Sequence, residues 1–174
     1  QKSRSLGIPH RFSAVEIRSS MKAADLACLN RAAMRTHSSF EMRLRPDSFR
    51  DALFPSLYRR EFGKAGPVAG LKALPPLRLS GEFDGEVAEL PSAFVAGRLF
   101  GDCVARNGSA EAHALLLSRP ASAEENAAIE RLKPAFAACI KERQTVSLTP
   151  IAIRATVGEA MVKLSRAAKD THRS

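Results

Sequence analysis

The sequence contains no tryptophan, one tyrosine and three cysteines among its 174 residues. So few aromatics argue against a β-sandwich, whose core leans on large rings and β-branched side chains. Alanine is abundant instead, which favours helices packed closely through small side chains. No apolar run approaches the roughly 20 residues that a membrane-spanning helix requires. The longest such run, residues 112–117, contains His113. Cys28, Cys103 and Cys139 show no CxxC or CxxH spacing, so no structural zinc site is expected.

Motifs that carry chemistry are missing too. There is no GxSxG elbow, HExxH pair, P-loop or GxGxxG turn. His10, His37, His113 and His172 are scattered, and none pairs with another at metal-ligand spacing. Ser19-Ser-Met-Lys22 matches SxxK, but it falls on a predicted helix without the companion elements of that chemistry. Glu124 and Glu125 open a predicted helix, where they favour its dipole. No alternation of aromatic and basic residues suggests base stacking. The expectation is a protein that is not an enzyme and carries no catalytic residue, metal or cofactor.

What the sequence does contain is a stretch that occurs twice. Residues 42–58 superpose on residues 146–162 without a gap, at a constant offset of 104 (150 − 46). Leu44 falls on Leu148, Pro46 on Pro150 and Arg50 on Arg154. Phe49, Leu53 and Leu57 fall on Ile153, Val157 and Met161. Alternating apolar residues before each proline predict a short extended segment. The proline suits a first helical turn, where its missing N–H breaks no bond. Apolar residues at i, i+4 and i+8 then predict one buried helix face, so these eight leucine, phenylalanine and other apolar side chains form the expected repeat core. Thr149 is the expected N-cap of the second copy. Pro55 is expected to kink the first copy or end it early. Arg50 and Arg154 flank the stripe. They either snorkel at the core edge or hold the extended segment or a carboxylate.

The rest of the chain divides around the two copies. Residues 1–12 predict a flexible basic arm. Residues 13–62 form a first helical unit, opened by the capping box Ser13-Ala-Val-Glu16. Residues 63–91, rich in proline and glycine, form a connector whose leucines Leu71, Leu74, Leu77 and Leu79 predict that it packs on something. Residues 92–170 form a second helical unit. In it Ser92 caps one helix, Asn107-Gly108 stops it, Pro120 ends another, and Ser122-Ala-Glu-Glu125 boxes a third. That third helix carries Ile129, Leu132, Phe136 and Ile140 inward and is kinked or divided at Pro134. The predicted class is mostly α: two small helical repeat units with short extended segments, joined by a Pro/Gly-rich connector.

Cys103 and Cys139 fall on the apolar sides of two helices of the second unit. They read either as a disulfide clamp or as two buried free thiols. The chain begins at Gln1 without an initiator methionine, and the expectation is an exported protein, periplasmic or extracellular, whose signal peptide has been removed. The run Cys103-Val, Ala114-Leu-Leu-Leu, Ser122-Ala-Glu-Glu, Cys139-Ile, Leu148, Arg154, Glu159-Ala and Leu164 resembles uncharacterised exported alphaproteobacterial helical proteins with a duplicated cysteine-containing unit. Leu44-Arg-Pro, Phe49-Arg, Ala52-Leu-Phe and Leu57-Tyr-Arg-Arg-Glu-Phe-Gly63 resemble the end of that family's first unit. The resemblance implies export and a Cys103–Cys139 disulfide. It implies no activity.

The formal charge is +9, from 27 basic and 18 acidic residues. It is concentrated in residues 1–64, with 13 Lys/Arg against 6 Asp/Glu. The expected function is therefore a non-catalytic exported interaction or accessory subunit. It would dock on an acidic protein or membrane-associated complex through a basic face of Arg43, Arg45, Arg50, Arg59 and Arg60. The alternatives are a general binder of anionic polymers, nucleic acid included, and an enzyme of unrecognised type.

Overall fold

A computed structural model describes residues 31, 33–35, 46–80, 82, 87–140 and 148–171. The basic arm, the first capping box and most of both extended segments lie outside the described residues. The protein is mostly helical, and among the described residues there is no strand. The helices whose bounds lie among the described residues are α1 (Pro46–Phe62), α2 (Ser92–Asn107), α3 (Ser109–Leu117), α4 (Ala123–Cys139) and α5 (Pro150–Thr171). Two 3-10 turns, Leu71–Ala73 and Val87–Glu89, lie between α1 and α2. No helix among the described residues is long and apolar enough to cross a membrane.

The chain forms two compact units. One comprises Gln1–Arg50 with Leu79–Ala88, the other Asp51–Arg78 with Glu89–Ser174. This division differs from the one read from the sequence, which set 63–91 apart as a connector. The second unit takes in α1 from Asp51 onward and most of the Pro/Gly-rich stretch. The reason is packing: Leu71 is buried at 2% exposure, and the backbone around it is bound by a side chain of α2.

Several boundaries follow from local chemistry. Both repeat helices begin at their prolines, Pro46 and Pro150. Thr149 Oγ1 accepts the Ala152 N–H at 3.3 Å, capping α5. Ser122 Oγ accepts the Glu125 N–H at 3.2 Å, capping α4. Ser92 is not a cap. Pro91 takes that position, its carbonyl accepting from the Phe94 and Val95 N–H groups at 2.9 and 3.1 Å. Pro55 does not end α1, which runs on to Phe62, and α4 is continuous through an exposed Pro134. Ile129 is half-buried and Ile140 is 39% exposed, because Ile140 lies past the end of α4 and off its inward face.

The core of the second unit gathers around α5, which packs on α2, on α3 and, at Gly158, on α1. Tyr58, Phe62, Phe100, Val157, Met161 and Leu164 are among its buried side chains. Pro55 packs on Gly158, and Glu61 pairs with Arg166, so α1 and α5 run side by side in the same direction. Glu61 and Arg166 are 105 residues apart, close to the sequence offset of the two similar stretches. The pyrrolidine ring of Pro55 occupies the space that a side chain at 158 would fill: a Cβ there would lie 3.0 Å from its Cγ. On the other side of α5, a Cβ at Gly101 would lie 2.5 Å from the Thr156 carbonyl oxygen. That neighbour is backbone and cannot yield. Gly97, one turn earlier, has only Thr156 Cγ2 nearby, at 3.5 Å.

The two glycines of α2 thus make opposite predictions. Gly101→Ala should destabilise by about 1–3 kcal/mol, since overpacking against backbone exceeds the gain in helix propensity. Gly97→Ala should be neutral or stabilise by up to about 1 kcal/mol. Urea unfolding of both variants beside the native chain measures the contrast, and equal effects would contradict it.

Candidate functional site

The polar chemistry of the second unit centres on the end of α3. A helix leaves its last carbonyls without helical partners, and here two arginines meet them. Arg59 Nη2, from α1, donates to the Leu116 and Ser118 carbonyls at 3.1 and 3.0 Å. Arg154, from α5, donates to the same Ser118 carbonyl at 3.3 Å, to Ser118 Oγ at 2.8 Å and to the Leu116 carbonyl at 3.5 Å. Its Nε donates to Glu125 Oε1 at 2.7 Å. Arg154 and Glu125 are both buried.

Glu125 joins this junction to the loop before α4. Its second oxygen accepts the Ala121 N–H at 2.7 Å. Ala121 holds φ at +58°, a conformation that L residues seldom adopt. The carboxylate of the capping box therefore reaches Ala121, one residue before the serine. Bound to the α5 guanidinium as well, it fixes the strained turn between α3 and α4.

Arg106 makes a second clasp. Its Nε donates to both Asp102 oxygens at 3.1 Å, an i,i+4 pair on α2. Nη1 reaches the Leu71 carbonyl at 3.0 Å and the Leu74 carbonyl, and Nη2 reaches Pro75 at 2.5 Å. Asp102 aims the guanidinium, and the guanidinium binds the backbone of residues 71–75. A third buried group joins α2 to α5: Glu159 Oε1 accepts from Arg98 Nη1 at 2.6 Å and from Lys163 Nζ at 2.8 Å.

Two further contacts tie down α1. Tyr58, fully buried, places its hydroxyl 2.9 Å from His113 Nδ1. Burial pushes the Tyr58 hydroxyl up to about 12 and moves His113 below the ordinary histidine range. Both shifts favour the neutral forms, so this is a neutral hydrogen bond near pH 7. Glu61 accepts from Arg166 Nε at 2.8 Å and Nη2 at 2.5 Å, and the guanidinium holds its carboxyl below the usual glutamate range.

Cys103 and Cys139 form a disulfide with a Cα separation of 5.7 Å, closing 36 residues. In the loop-entropy account, a closure of that length stabilises by roughly 3–4 kcal/mol. Cys139 is the last residue of α4, where the negative helix end disfavours a thiolate. That placement suits a structural clamp and not a thiol poised for exchange. Cys28 lies outside the described residues.

Of the expected basic face, the described residues include Arg50, Arg59 and Arg60. Arg50 is buried at 3% exposure, and Arg59 is engaged by the end of α3. Arg60 is exposed, its side chain 77% accessible beside Glu61 at 3.8 Å, and Arg59 is exposed as well despite its contacts. Arg43 and Arg45 lie outside the described residues. Of the expected repeat core, Leu57, Ile153, Val157 and Met161 are buried and Leu53 is half-buried. Leu148 is 46% exposed, because it precedes the cap of α5 and does not lie on its buried stripe. Leu44 and the side chain of Phe49 lie outside the described residues. Arg98, Arg106 and Arg166 escaped the sequence reading. The i,i+4 spacings of Asp102 with Arg106 and of Glu159 with Lys163 were the only local signals for two of these groups.

Among the described residues no three His, Cys, Asp or Glu side chains gather as a metal site would need. No family model, curated protein or solved structure matches the chain.

Removing one partner of a buried ion pair leaves the other uncompensated. Arg154→Ala should therefore cost about 3–5 kcal/mol, whereas Arg60→Ala should cost about 0–1 kcal/mol. The double variant Arg154→Met with Glu125→Leu should recover part of the first loss. Denaturant unfolding of the set reads the order, and a mild Arg154→Ala would refute the clasp. For Glu61 the sign runs with its lowered pKa: the stabilisation is present above the unfolded value and is lost as pH falls through the folded value. The stability gap between the native chain and Glu61→Gln should therefore be open at pH 7 and close in acid. Thermal melts from pH 7 to pH 3 test this.

Proposed function

We propose that the chain is a non-catalytic interaction or accessory subunit of an exported complex. The observation that carries this reading is the use of charge in the second unit. Arg59, Arg98, Arg106, Arg154 and Arg166 each bind a carboxylate or backbone carbonyls of the same chain. Those residues make a fixed scaffold, locked further by the disulfide. Recognition then falls to the residues left on the surface, and with a charge of +9 an acidic partner is the complementary choice. The disulfide accords with an oxidising compartment, which is why export is part of the proposal.

The repeat belongs to the same reading. We take residues 42–58 and 146–162 as two copies of one helical unit, and the parallel packing of α1 beside α5 supports it. The first copy contributes Arg43 and Arg45, and with Arg60, two residues past its end, they supply the basic surface that we assign to the partner.

The deciding measurement is crosslinked affinity capture of the tagged, natively produced chain at low and high salt. The expected result is one stoichiometric partner retained at high salt and weakened by Arg60→Glu. Diffuse, salt-labile material would favour anionic-polymer binding, because phosphate-like contacts release counterions. Failure to capture anything would overturn the subunit reading.

A further inference from the structure

Residues 71–78 (Leu-Lys-Ala-Leu-Pro-Pro-Leu-Arg) have a geometry that the scaffold does not require of a mere connection. They open with a 3-10 turn, and Leu74 leaves it at φ −68° and ψ 152°, in the polyproline II region. A polyproline II helix has about three residues per turn, and burial along the segment follows that period. Leu74 and Leu77 are half-buried, whereas Pro75, Pro76 and Arg78 are exposed. One edge therefore faces the protein and two edges face outward.

The inward side is fixed. Leu71 is buried, and Arg106 binds the carbonyls of Leu71, Leu74 and Pro75. Two consecutive prolines remove two backbone N–H groups, which excludes this segment as an added β-strand. The outward side offers two pyrrolidine rings flanked by exposed Lys72 and Arg78. Residues 63–78 contain no Asp or Glu to neutralise these cations.

We propose that residues 72–78 are a preformed recognition strap for a polyproline II-binding domain, one whose groove is lined by aromatic rings and rimmed by carboxylates. The rings of Pro75 and Pro76 pack into the groove, and Arg78 pairs with the rim. Because Arg106 already holds the extended conformation, little ordering entropy remains to be lost on binding. The inference rests on reading the chain as an interaction protein, and it gives that reading a surface in the second unit.

The test uses the intact chain and, as probe, an immobilised SH3 domain with tyrosine and tryptophan in its groove and aspartate and glutamate on its rim. The native chain should bind saturably. Pro76→Ala and Arg78→Glu should each weaken binding by about tenfold or more, the size expected for loss of an anchor. Lys133→Glu, an exposed charge on α4, should leave binding unchanged. All three sites are exposed, and circular dichroism with thermal melting should show native folding. Absence of saturable binding, or an equal loss with Lys133→Glu, overturns the strap. If the strap variants still hold the salt-resistant partner while the probe is not bound, the strap fails and the subunit reading stands. If the probe binds through the strap while no partner is captured, the subunit reading fails and the strap stands.

Discussion

The buried pairing of Arg154 with Glu125 is the interaction on which the second unit most depends. It joins three helices and one strained turn through a single guanidinium and a single carboxylate. Arg154 belongs to α5, the carbonyls it binds end α3, and Glu125 begins α4. Through Glu125 the pair also fixes Ala121 in its left-handed conformation. A neutral side chain in place of either partner would leave a buried charge with part of its hydrogen-bonding capacity unmet, which costs more than the pair contributes when intact. Arg59 reinforces the same carbonyls from α1, so the end of α3 is the point at which distant parts of the sequence are made to agree.

Around this junction the helices approach closely because small residues and a proline ring fill the contacts. Gly101 lets α2 touch the backbone of α5, and Gly158 receives Pro55 of α1. A helical proline ordinarily costs a hydrogen bond. Here its ring fills the hollow left by a glycine, which is a reason for α1 to pass through Pro55 unbroken. The disulfide then closes α2 onto α4. Charge, small-residue packing and one covalent bond thereby constrain the same set of helices, and each constraint limits how far the others can relax.

This economy of charge shapes any functional reading. Arginines on a basic chain invite assignment to a binding face, yet several of them bind the chain itself. Among the described residues, part of the basic charge is therefore turned to the chain's own carboxylates and carbonyls. Among these residues, the cations that stay exposed include Arg60 near the end of α1 and the basic residues beside the proline pair that Arg106 binds.

Periodicity and turn chemistry made much of the fold legible in the sequence. The starts of α1 and α5 at their prolines, the caps at Thr149 and Ser122, and the buried stripe Ile153, Val157, Met161 are local properties, set by spacing within a few residues. The fates of Arg50 and Arg59 were not legible, because an arginine beside an apolar stripe has the same local context whether it snorkels, caps a distant helix or faces a partner. The same holds for Leu148, whose alternating neighbours suggested burial although it lies ahead of the helix, and for Ser92, which lost the cap to a preceding proline carbonyl. The sequence by itself determined where helices form and which of their faces are apolar, since both follow from backbone propensity and side-chain period. Only the tertiary structure decided which charges are consumed and which remain outward, because a hydrogen bond between residues 29 or 105 positions apart depends on how the helices dock.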